Sequence, residues 1–177
     1  MSRTIGFLAV TLFVVLSAFT AHTLWYLRGV FIVPQTVMIL AIGLAGEHYV
    51  SGKGYYHYTP TNGLFIGRVP VYIPFMWVFV CQSCHLAGLW LGLGDAAALV
   101  FAGTLGFLVD FVAIEPVFSR QIGLWLWKPV DNGFFSFVPP QFNRFTAPVG
   151  NYLVWMGFPF VMGFVLDCMY KVIPLIL

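Results

Sequence analysis

Two groups of residues have types and spacings that can do chemistry. The first is Cys81, Cys84 and His85 in VFVCQSCHLAGLW (78–90), a C-x-x-C-H string. Two thiols and a histidine at that spacing match the pattern for covalent haem attachment. The second is a trio of carboxylates, Glu47, Asp110 and Glu115, each standing in or at the end of an apolar run. In an apolar site a carboxylic acid holds its proton to higher pH and can serve as a general acid near neutrality.

What must position these groups follows from composition. The 177 residues are 60% hydrophobic and only 8% charged, against about 25% charged in water-soluble domains. Such a chain has lipid as its solvent. A net charge of +2 excludes a nucleic-acid partner, and three cysteines make no disulfide framework. Aromatic residues reach 19%, which calls for interfacial rings or an aromatic-lined pocket.

Charge-free runs place five spans: 4–27, 29–46 with an extension past Glu47 and His48 to Val50, 69–94, 96 to about Glu115-Pro116, and 145–166. Each approaches the ~20 residues that cross the hydrocarbon. Proline restricts the residue before it and lacks a donor, so the fourth span is expected to end at Pro116. The expected fold is therefore all-α: one integral-membrane domain over 1–177, with about five transmembrane helices and two aromatic-rich loops. The first span has too weak a basic region and cleavage site for a signal peptide. The side of the N-terminus carries Arg3, Lys53, Arg68, Arg120, Lys128 and Arg144; the other side carries Arg28 and Lys171. The positive-inside rule then puts the N-terminus in the cytoplasm.

This topology weakens the haem reading. Cys81 lies twelve residues past Val69, roughly 18 Å into the hydrocarbon. There the two cysteines read as small packing residues, and His85 as a partner for a neighbouring helix. The same topology brings Glu47, Asp110, Glu115 and Asn151 to one membrane face. Both long loops emerge there, 51–68 with Tyr55, Tyr56, His57 and Tyr58, and 117–147 with Trp125, Trp127, Phe134, Phe135, Phe137, Phe142 and Phe145. Carboxylates within spans are functional candidates by default; the bland alternative is anchoring by Lys53, Arg68, Arg120 or Arg144. Loops so aromatic form either an interfacial belt or a lid over an elongated apolar molecule. Glu47, His48 and His57 make a poor metal set, and phosphate-binding and nucleophile-elbow motifs are lacking. No metal and no cofactor is expected.

The stretch GYYHYTPTNGLFIGRVPVYIPFMW (54–77) resembles the G-x-Y-x-Y…G-x-VP-x-x-IP-x-x-W signature of the carotenoid biosynthesis membrane proteins. That family includes acyclic carotenoid 1,2-hydratases and bacterioruberin-type hydratases. Glu47 stands before this stretch, and DFVAIEP (110–116), WLWKP (125–129) and PVGNYLVW (148–155) follow it, in the family's order. The resemblance implies acid-catalysed hydration of an isoprenoid end: protonation of a trisubstituted alkene, then capture of the tertiary cation by water. It implies Asp110 as the acid and Glu115 or Glu47 as the group acting on water. Tyr56, Tyr58, Trp77 and Trp127 would stabilise the cation, Asn151 would orient the water, and Arg68 would join the substrate-binding residues. In an α-helix Asp110 and Glu115, five residues apart, diverge by about 140° and do not share a face. The alternative is a non-catalytic accessory or pigment-binding subunit of a larger membrane complex, with Gly43, Gly46, Gly88, Gly92, Gly103 and Gly106 as small-residue faces for partner chains.

Overall fold

The computed structural model describes residues 4–127 and 147–176. Lys128, Arg144 and the five loop phenylalanines from Phe134 to Phe145 lie outside the described residues, as does Arg3. The helices are α1 (Thr4–Arg28), α2 (Ile32–Gly52), α3 (Tyr72–Trp90), α4 (Asp95–Val109) and α5 (Val149–Ile176). Four short strands occupy the loops: β1 (Tyr56–Tyr58), β2 (Phe65–Ile66), β3 (Val69–Pro70) and β4 (Trp125–Trp127).

Among the described residues, four continuous helical stretches are long and apolar enough to cross a membrane. The first, Thr4–Gly52, has 49 residues. As a straight rod it would be about 73 Å long, more than twice the hydrocarbon thickness. Instead it reverses at a 3₁₀ turn, Gly29–Phe31. Gly29 there has φ +61°, which a residue with a Cβ would resist. The reversal returns the end of α2 to the level of the start of α1. Gly6 of α1 abuts the backbone of Asn62, and Glu47 of α2 bonds to Tyr58 in the same loop. The described residues therefore make five passes.

α3 is the central helix. Two-thirds (67%) of its span is buried, against 22% for the α1–α2 stretch. Lipid tails are as apolar as leucine, so close approach and hydrogen bonds must hold such a bundle together. Gly88 lies against Ala98, Gly43 against Trp77, and Gly103 and Gly106 against the Met156 and Trp155 carbonyls of α5. The small-residue faces considered for partner chains are thus largely consumed inside the bundle; only Gly46 and Gly92 face open space. At mid-bundle Thr20 of α1 donates to Gln82 of α3 (2.9 Å). Gln82 donates to Thr36 of α2 (2.9 Å), and Gln35 donates to the Met162 carbonyl of α5 (2.8 Å). Every side chain in this girdle has a partner, as buried polar groups require.

Cys81 and Cys84 are free thiols buried in α3, as packing residues. His85 is fully buried, its Nε2 3.4 Å from an Asp167 carboxyl oxygen. One boundary departs from expectation. The fourth span does not stop at Pro116. It continues from α4 without a break to Gln121 as a π-helix, Asp110–Gln121. The i→i−5 bonding is visible where Ile122 N–H donates to the Val117 carbonyl at 2.9 Å. The proline ring, which would collide with the i−4 carbonyl of an α-helix, sits inside the wider coil.

Candidate functional site

The site begins in the two loops. Tyr56-His57-Tyr58 and Trp125-Leu126-Trp127 pair as antiparallel strands, Tyr56 opposite Trp127 and Tyr58 opposite Trp125. Alternation along a strand sends the four rings to one face and exposes His57 and Leu126 on the other. The rings meet edge to face: Tyr56 and Trp127 centroids are 4.7 Å apart, Tyr56 and Tyr58 5.3 Å. Asn62 staples the loops together. Its amide donates to the Thr59 and Leu124 carbonyls (2.8 and 2.5 Å), and its own oxygen accepts from Tyr72 at the head of α3 (2.6 Å).

This ladder carries its polar atoms to two carboxylates. Both phenols donate to Oε2 of Glu47, Tyr58 at 2.8 Å and Tyr56 closely. Trp77 of α3 donates to Oε1 of the same carboxylate at 2.9 Å. On the other strand, Trp125 and Trp127 donate to the two oxygens of Glu115 at 3.1 and 2.9 Å. Burial first, and then the adjacent Glu47 carboxylate, push both phenols above the ordinary tyrosine range. They therefore remain donors at physiological pH.

The π-helix changes the relation between Asp110 and Glu115. With i→i−5 bonding and about 4.4 residues per turn, five residues advance only about 50° beyond a full turn. The two side chains share a face that an α-helix would deny them, and both are buried. Asp110 accepts from the Asn151 amide of α5 at 2.7 Å. Its other oxygen is buried and has no hydrogen-bond partner among the described residues.

A cavity of about 20 Å³ lies between these groups. Glu47, Glu115 and Asn151 are its polar walls; Tyr56, Tyr58, Trp125, Trp127 and Trp155 are its aromatic ones, and Ile73 and Met76 of α3 complete it. Asp110, the acid that the resemblance picks, stands one hydrogen bond behind this lining, through Asn151. Trp77 also stands behind it, holding Glu47 and lying 4.3 Å from Trp155. Arg68 is not on the cavity. It is exposed, with its guanidinium over Gly52. Among the described residues, neither Glu47 nor Asp110 forms an ion pair, so Lys53, Arg68 and Arg120 do not anchor them. The ion pairs between described residues lie at the far end of the bundle, where Arg28 joins Asp167 (2.9 Å) and Asp95 (3.6 Å) and Lys171 joins Asp95.

Trp125 and Trp155 lay beyond the sequence-based site, yet each had a signal. WLW alternates with period two beside a loop that reads YHY, and Asn151 and Trp155 are one helical turn apart. The assembled site can exchange protons across one small space between two carboxyls. Five aromatic side chains line the same space.

No curated protein and no solved structure matches the chain. The family model for carotenoid biosynthesis proteins matches residues 3–176, nearly the whole length, and the chain therefore belongs to the carotenoid biosynthesis protein family, as a multi-pass membrane protein.

Proposed function

We propose that this protein adds water to the terminal double bond of an acyclic carotenoid end group by acid catalysis. The observation that supports this reading most directly is the cavity. Its 20 Å³ is room for about one water molecule, between two carboxyls and inside a ring of aromatic walls. Glu115, buried on the π-helix, is the proton donor. It protonates the CH carbon of the alkene, and the positive charge forms on the dimethyl carbon. Tyr56, Tyr58, Trp125, Trp127 and Trp155 stabilise that cation through their ring faces. The water oxygen bonds to the cation, and Glu47, half-buried on the headgroup side, takes the proton the water releases. Proton exchange with solvent restores both carboxyls. Nothing is oxidised or reduced. Asp110 holds the Asn151 amide nitrogen, which leaves the amide oxygen to accept from the water.

The test is expression in a host that accumulates carotenoids with acyclic ends, followed by pigment mass spectrometry. A gain of one water that disappears with Glu115→Gln is the expected outcome. Unchanged pigment mass with the wild-type protein folded in the membrane overturns the reading. The site and the N-terminus are proposed to face the cytoplasm, on the six-to-two distribution of cationic residues. In a Cys168→Ser background, an impermeant thiol reagent applied from outside should label Leu91→Cys and spare Tyr55→Cys, both positions being exposed.

A further inference from the structure

Pro116 takes no part in the cavity, yet it lies at the middle of the element that aligns the carboxyls. From the wide coil at 110–121 we infer that Pro116 is a positioning residue: it holds the fourth pass in π register, and that register delivers Glu115 to the cavity. The inference deepens the hydratase reading and rests on it for its functional consequence, although the register itself does not.

π-helices are rare and occur mostly as single turns, so one of 12 residues needs a cause. In α register the Pro116 ring would strike the carbonyl of Val112, and no N–H would be present to bond it. Widening the coil moves that carbonyl away from the ring. The same widening sets the angle between Asp110 and Glu115 at about 50° in place of the about 140° of an α-helix. The tertiary contacts match the π angle. Asp110 reaches Asn151 on α5, while Glu115 reaches the indoles of Trp125 and Trp127 on β4. A return to α register would swing Glu115 by about 90° relative to Asp110. Both could not then keep these partners.

The angles also supply a rescue. Four residues of an α-helix advance about 40° beyond one turn. Deleting one residue between Asp110 and Glu115 therefore restores their alignment in α register. Ala113 is suited to deletion because it is exposed on the bundle surface.

The experiment compares wild type, Pro116→Ala, and Pro116→Ala with Ala113 deleted, in lipid bilayers, by solid-state NMR of ¹⁵N-indole-labelled tryptophan. No substrate is needed. In Pro116→Ala the Trp125 and Trp127 N–H resonances should move, while Trp77, bonded to Glu47, keeps its position. In the deletion variant they should return towards wild type. Hydration of an acyclic carotenoid should fall at least tenfold in Pro116→Ala and recover in the deletion variant. Indole resonances and activity unchanged by Pro116→Ala overturn the inference. So does a deletion variant that folds without restoring the Trp125 and Trp127 signals. If wild type itself hydrates nothing, the functional reading fails while the indole shifts still decide the register.

Discussion

Glu47 and Glu115 differ in what holds them, and the difference predicts how variants behave. Glu115 is fixed by two indole N–H groups and Glu47 by two phenols and an indole. Glutamine at either position preserves shape but cannot transfer the proton. Each substitution should lower hydration by at least about a hundredfold, in the range of general acid–base contributions. Asp110→Asn keeps an oxygen to accept from Asn151 and removes only the ionisable group behind the cavity. Its loss should be smaller, about tenfold, measured as pigment mass per folded protein. The phenols give a pH prediction. Their folded-state pKa values lie above the unfolded value of about 10. The stability they contribute is therefore fully present below about pH 10 and is lost as pH rises beyond it. A tyrosinate absorbance titration should show at least two of the eight tyrosines, Tyr56 and Tyr58 among them, lagging until the protein unfolds.

At the level of elements, the junction of α4 and α5 depends on glycine. A Cβ on Gly106 would run into the Trp155 carbonyl and lie 2.8 Å from Pro159, and one on Gly103 would lie 2.8 Å from the Met156 carbonyl. Backbone on the other side cannot turn aside as a side chain can. Gly106→Ala should therefore destabilise the bundle by about 1–3 kcal/mol, as overpacking does, visible as a lower Tm in detergent. It should also weaken hydration, because the same junction sets Asp110 against Asn151. The β1–β4 ladder is the complementary element: two strands of three residues, too short to stand alone, made stable by Asn62 and by the carboxylates that their rings reach.

Across the molecule the carboxylates of the described residues separate into two ends, with the neutral girdle of Thr20, Gln82, Thr36 and Gln35 between them. The cavity end is organised by neutral donors around Glu47 and Asp110, and the far end by Arg28, Asp95, Asp167, His85 and Lys171. Arg28 lies at the end of α1 and reaches both the start of α4 and the body of α5. Asp167 is buried. Arg28→Ala takes the guanidinium from that carboxylate and leaves His85 as its neighbour, a loss of about 3 kcal/mol, the low end for a broken buried pair. The expected phenotype is less folded protein in the membrane, with hydration per folded molecule unchanged, since the two ends share no side chain. Equal loss of both would instead show that the far end acts on the site.

Much of this was legible from the chain alone. Apolar runs separated by short breaks determine the passes, because hydrocarbon tolerates only backbone that satisfies itself. The cost of a charge in a span singled out Glu47, Asp110 and Glu115. The rings of 56–58 and 125–127 pointed to loop segments that turn back on the bundle, since such rings are poorly suited to water. Three features were decided only by the tertiary structure. The strand pairing of 56–58 with 125–127 joins segments nearly 70 residues apart, and no local pattern states which partner an alternating triplet will find. Arg68 was drawn into the site by neighbouring motif residues, yet its hairpin turns it outward over Gly52. The π register of 110–121 reversed the expected separation of Asp110 and Glu115. A helical wheel assumes 100° per residue; Pro116 says only that this register fails, and whether the helix ends, kinks or widens is settled by the partners on α5 and β4.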